Sequence, residues 1–163
     1  MRRTLLILCV LAAGSCHAQE VHERRNWFSD PFFQISNSII NCPVPAGPYI
    51  TEPERKVQSH HRAERGASCW LAGMCDRSSS YEYDQEIAKN LHLKLAQSKA
   101  FLNSSLWVTV QSRVVYIEGC VRDQTVANDL EAIARGVPNV QQAIAAVYEG
   151  PASNSPYKQL NPP

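Results

Sequence analysis

A chain of 163 residues with 16 Lys and Arg against 15 Asp and Glu carries a formal charge of +1 at pH 7. Acids and bases are interspersed, which gives no support to a nucleic-acid partner, because that affinity rests largely on a basic footprint matching the phosphates. The length suits one domain with an ordered extension, and beyond the first twenty residues no apolar run is long enough to span a membrane.

The chain opens as a secretory signal. Arg2 and Arg3 precede an uninterrupted apolar run from Leu5 to Gly14, and small residues follow before the first acid at Glu20. Ala13-Gly14-Ser15-Cys16 resembles a bacterial lipobox whose Cys16 would be acylated, whereas Cys16-His17-Ala18 ahead of Gln19 suits ordinary cleavage. A lipobox usually has Leu where Ala13 stands, so residues 1–18 are read as a cleaved signal peptide. Losing Arg2 and Arg3 turns the formal +1 into about −1. Export sets the redox compartment: with Cys9 and Cys16 in the signal, the exported chain keeps Cys42, Cys69, Cys75 and Cys120, an even set whose default fate is disulfide formation.

Residues 19–80 read as a cysteine-containing leader. Asp30 is placed as a helix N-cap with Pro31 at the first helical position, and Phe32, Ile35 and Ile39 share one face of a short helix ending near Asn41. That face is expected to cover a flank of the downstream domain, since its polar side lacks the Lys and Arg of membrane-surface helices. The Pro-rich stretch Cys42 to Pro48 breaks the chain. Thr51 and Glu54 form a capping box, Arg62 and Arg65 occupy the last turn, and Gly66 offers a stop, which predicts a mostly polar helix over 52–65. His60 and Glu64 lie one turn apart, which is metal-ligand spacing, but on a solvated face.

Cys69 and Cys75 stand six positions apart, so in a straight helix they would point about 120° away from each other. A bridge needs a bent loop, and Gly73 supplies the permissive backbone. Thioredoxin chemistry wants two intervening residues, zinc wants shorter spacing with a second pair, and a haem-attachment run is missing. Cys69 with Cys75 is therefore favoured, and Cys42 with Cys120 completes the set.

Residues 81–149 carry the clearest periodicity. Asp84 caps a helix with Ile87, Leu91 and Leu95 on one face and Lys89, Lys94 and Lys99 on wetter sides. Leu106 to Val110 and Val114 to Val121 read as strands joined by a tight Gln111-Ser112-Arg113 connection. Asp123 caps a second helix bearing Val126, Leu130 and Ile133, closed by Gly136, and Val140 to Tyr148 is a last strand. The α+β order α-β-β-α-β buries both helices only if they lie on one side of a three-stranded mixed sheet. Residues 150–163, rich in Pro, Ser and Asn, read as a flexible tail.

Asp84-x-x-Ile87, Val108-x-Val110, Val115-x-Ile117-x-Gly119-x-Val121 and Val137-x-x-Val140-x-x-Ala143 resemble a BON domain, a module found mainly in bacterial periplasmic and outer-membrane-associated proteins. The blocks Trp27 to Ser36, Asn41 to Pro48 and His61 to Cys75 resemble the leader of secreted proteins that end in one such domain. The resemblance implies a binding module for phospholipid or an envelope protein surface, without catalysis or cofactor. The family often has Gly where this chain has Ser112-Arg113 and Asn139. Six bases against eight acids leave residues 81–149 at −2, so any attraction to anionic lipid falls to a local patch from Lys94 and Lys99. The rival expectation is a stapled interaction module whose leader, through Trp27, Phe28 or Trp70, carries the specificity. No nucleophile elbow, phosphate loop or zinc-protease motif appears, so an enzyme is not expected.

Strand parity adds one expectation. Val115, Ile117, Gly119 and Val121 face the helices, leaving Tyr116, Glu118 and Cys120 on the other face. A cysteine there needs a partner outside the helix layer, so the leader is expected to fold back across the open face of the sheet, pinned by Cys42–Cys120.

Overall fold

The computed structural model describes residues 23–96, 98, 101–150 and 155–161. The expected signal peptide with Cys16, and Lys99, lie outside the described residues. In chain order the elements are β1 (Phe32–Asn37), α1 (Glu52–Leu71), a 3-10 turn (Ser80–Tyr83), α2 (Asp84–Ala96), β2 (Ser105–Gln111), β3 (Val114–Val121), α3 (Val126–Arg135) and β4 (Gln142–Glu149). The strands form one mixed sheet in the order β1-β2-β3-β4, antiparallel except for the parallel β3–β4 pair.

Apolar periodicity builds the core. Leu106, Val108 and Val110 of β2 and Val115, Ile117 and Val121 of β3 alternate onto one face, where they meet Ile87, Leu91 and Leu95 of α2 and Leu130 and Ala134 of α3. Gly119 belongs to the same alternation, and a Cβ there would stand 2.0 Å from the Ser105 carbonyl oxygen, at a φ of +145°. The absent side chain is what lets β2 and β3 pair at that point.

The sheet has four strands where three were expected, because residues 32–37 are extended and not helical. Their sequence fits both periods: Phe32, Ile35 and Ile39 suit a helix, but Phe33 and Ile35 alternate into the core. The open edge of β2 decides between them. Three strands would leave its N–H and C=O groups unpaired, and β1 pairs with that edge from Phe32↔Thr109 to Asn37↔Ser105. Asp30 caps no helix. Buried, it accepts two hydrogen bonds from the Arg62 guanidinium, at 2.7 and 2.8 Å, and one from Gln111 Nε2 at 2.6 Å.

α1 starts at the expected capping box, with Thr51 N–H donating to Glu54 Oε2 at 2.8 Å. It does not stop at Gly66 but runs on to Leu71. Gly66 is buried against the 3-10 turn, where a Cβ would approach Ser79 Oγ to 2.9 Å, so this glycine serves close packing instead of a left-handed cap. Beyond the helix Gly73 takes φ +67° and swings the chain back, which closes the Cys69–Cys75 disulfide with Cα atoms 5.5 Å apart.

Residues 155–161, expected within a flexible tail, are seated against the leader. Pro45 bridges Gln159, Ala46 N–H donates to the Lys158 carbonyl at 2.7 Å, and buried Tyr157 packs with Tyr148 and Cys120. This segment and residues 42–50 together cover the sheet face away from α2 and α3. Cys42–Cys120, with Cα atoms 5.8 Å apart, ties the cover down.

Candidate functional site

α2 presents the first candidate surface. Ile87, Leu91 and Leu95 turn inward, which leaves Lys89, His92, Leu93 and Lys94 exposed. From Lys89 onward the described helix contains no acid, and neither lysine is ion-paired among the described residues. Lys94 Nζ donates to the Gly136 carbonyl at 3.0 Å, so one of its three donors caps the C-terminal end of α3. Lys89 makes no such commitment. Helical periodicity sets Lys89 on a wetter side, and its one-turn spacing to exposed Leu93 is the signal that joins it to the patch.

At the start of α2 the Asp84 carboxylate accepts the Ser112 and Arg113 backbone N–H groups, at 2.6 and 2.8 Å. Both residues have positive φ, 54° and 65°, as does Asn139 at 69°, so the left-handed backbone that family glycines would supply is kept here by other residues. Burial pushes the Asp84 carboxyl up to about 6, against the two N–H groups that favour its ionised form.

A second surface lies at the end of α1. The stapled loop between Cys69 and Cys75 holds Trp70, Leu71 and Met74 at 51%, 74% and 70% exposure. α1 itself is clamped to the body through Arg62, whose guanidinium binds Asp30 and lies between the rings of Phe28 and Tyr81, 4.1 and 3.8 Å from their centroids. His60 Nε2 and Glu64 Oε1 are 3.4 Å apart and both exposed. Among the described residues no group of three or more His, Cys, Asp or Glu is arranged to hold a metal ion.

Both helices of residues 84–149 lie on one face of a mixed sheet, as the element order required, with β2–β3 antiparallel, β3–β4 parallel and Gly119 at the close approach of β2 and β3. The family model described as BON domain matches residues 83–146. That stretch is a BON domain. It begins just ahead of Asp84 and ends within β4, so it takes in α2, β2, β3 and α3 but neither β1 nor α1. The fourth strand of the sheet and the cover of its open face thus come from chain outside the BON domain. No curated protein and no solved structure matches the chain. A BON domain together with two disulfides fits an envelope or periplasmic protein. No helix among the described residues is long and apolar enough to cross a membrane.

Proposed function

We propose that this protein is a non-catalytic accessory of the bacterial cell envelope, exported by its N-terminal signal, whose BON domain docks on an anionic phospholipid surface through α2. The observation that carries this reading is the exposed side of α2 from Lys89 to Lys94, which contains no acid and sets Lys89 and Lys94 beside exposed Leu93. Each lysine near an anionic surface contributes about 1 kcal/mol, screened by salt, and one exposed leucine adds apolar contact. Because the leader and tail cover the opposite face of the sheet, the helix layer is the broad side of the BON domain left to meet a bilayer.

Flotation of the oxidised chain from residue 19 with neutral and with anionic vesicles tests it. Co-flotation restricted to anionic vesicles, weakened by salt and lost in Lys89→Glu/Leu93→Ser, is the expected result. Salt-insensitive or charge-independent flotation refutes the role of the lysines. A second reading rests on the stapled Trp70-Leu71-Met74 tip, an apolar contact suited to an envelope protein. Its mark is a failure to float with any vesicle, combined with a partner interaction that Trp70→Ser/Leu71→Ser removes.

A further inference from the structure

On the face of the sheet away from α2, a cleft of about 240 Å³ remains between β2 and β3 below and the leader, α1 and the tail above. Thr109 and Glu118 form part of its floor, Tyr49 and Tyr116 contribute aromatic wall, and Glu54 and Lys158 line it as well. The strand register explains why these groups meet. Thr109 pairs with Tyr116 and Trp107 with Glu118, so Thr109 and Glu118 are diagonal neighbours on the face that β2 and β3 turn away from the helices.

Two features of this floor are unusual for a folded protein. Thr109 is 4% exposed, yet its Oγ1 has no hydrogen-bond partner among the described residues. Buried hydroxyls almost always have one. The Glu118 carboxylate likewise has no side-chain partner among the described residues, and burial alone pushes it up to about 7. The charges around the cleft do not balance either. Glu54 and Glu118 are acids, and Lys158 is the single lining cation among the described residues, but its Nζ is already 2.9 Å from Glu54 Oε1. Glu54 is further engaged by the Thr51 N–H, which with Lys158 holds its carboxyl at about 2. What the cleft lacks is one positive charge carrying several N–H donors.

We propose that this cleft binds a small primary ammonium group, with the Glu118 carboxylate and the Thr109 hydroxyl as its acceptors. An ammonium has three donors and a unit charge, which suits one carboxylate and one hydroxyl while leaving a donor for solvent. The tyrosine rings add favourable faces for a cation, and the volume accommodates a carbon chain of a few atoms behind the nitrogen. The site lies on the other side of the sheet from α2, so it stands or falls independently of lipid docking.

The test uses the full oxidised chain and n-butylamine at pH 8 and fixed ionic strength, read by ligand-detected saturation-transfer NMR, with n-butanol and n-butyrate as probes of the same length. Transfer to n-butylamine but to neither control is expected. Glu118→Gln should weaken binding about tenfold or more and Thr109→Val several-fold, while Thr109→Ser retains it, since a charge-assisted bond is worth more than a neutral one. No transfer to n-butylamine, equal transfer to n-butanol, or unchanged binding in Glu118→Gln overturns the proposal. The wild-type selectivity among the three probes decides the matter even if a variant fails to fold. Competition by free ethanolamine alone assigns the site to soluble amines, and competition by phosphatidylethanolamine vesicles as well extends it to that head group. Competition by neither overturns it. Flotation with anionic vesicles should be the same for wild type and Glu118→Gln.

Discussion

Replacing Cys42 and Cys120 by alanine removes the tie between the leader and the sheet, and loop length sets the expected cost. The two cysteines are 78 positions apart, against 6 for Cys69 and Cys75. On the chain-entropy estimate the longer loop contributes roughly 4.5 kcal/mol and the shorter roughly 2 kcal/mol at 25 °C. Their difference, about 2.3 kcal/mol, depends only on the ratio of loop lengths. Cys120 is fully buried beneath Tyr148 and Tyr157, which adds a small packing loss to the long-loop variant. Urea unfolding followed by tryptophan fluorescence measures both, since Trp107 is 7% exposed and becomes solvated on unfolding. With an m value of about 2 kcal/mol/M the long-loop variant should lose about 2 M in midpoint and the Cys69→Ala/Cys75→Ala variant about 1 M. Equal losses in the two double variants refute the loop-closure argument. A loss below about 1 kcal/mol for Cys42→Ala/Cys120→Ala would mean that the cover is not part of the cooperative unit.

Asp84→Ala removes the acceptor of two buried backbone N–H groups and should cost about 3 kcal/mol; a thermal melt by circular dichroism checks this, and a shift of less than about 3 °C contradicts it. Gly119→Ala forces a Cβ to within 2.0 Å of the Ser105 carbonyl oxygen. It should therefore destabilise by about 3 kcal/mol or more, read as a lowered urea midpoint. For Glu118 the carboxyl is raised from 4.5 to about 7 in the folded chain. The folded state thus holds its proton more tightly, so the stability linked to this group is fully present below pH 4.5 and is lost as pH rises through about 7. Glu118→Gln should accordingly match wild type near pH 4 and exceed it at pH 8 by about 1–2 kcal/mol, a value discounted for partial exposure. A wild-type advantage at pH 8 would reverse the sign and refute the burial argument.

Much of the BON domain is legible residue by residue. Ile87, Leu91 and Leu95 repeat at helical spacing, Leu106 to Val110 and Val114 to Val121 alternate, and strand parity alone sends Cys120 to the face opposite the helices, where Cys42 reaches it. Lys94 could be placed on the outside of α2 in the same way, because a periodic pattern defines an inner and an outer face without knowledge of any partner. The cleft was only half legible: parity put Tyr116 and Glu118 on the open face, but nothing local said that Glu54 and Lys158, more than a hundred positions apart, would close over them through a 2.9 Å ion pair.

Tertiary structure decided the rest, and in each case the deciding contact was distant in sequence. Residues 32–37 satisfy both a helical and an alternating pattern, and the unpaired edge of β2, some seventy positions on, selects the strand because its backbone groups need partners. Gly66 looked like a helix stop, but packing against the turn at Ser79 makes it a close-approach residue and lets α1 continue to Leu71. The segment 155–161 has the composition of a tail and becomes ordered by hydrogen bonds to Val44 and Ala46 and by burial of Tyr157. Local sequence determines which faces a segment can bury, whereas the choice among faces belongs to whichever distant backbone or apolar surface would otherwise be left unpaired.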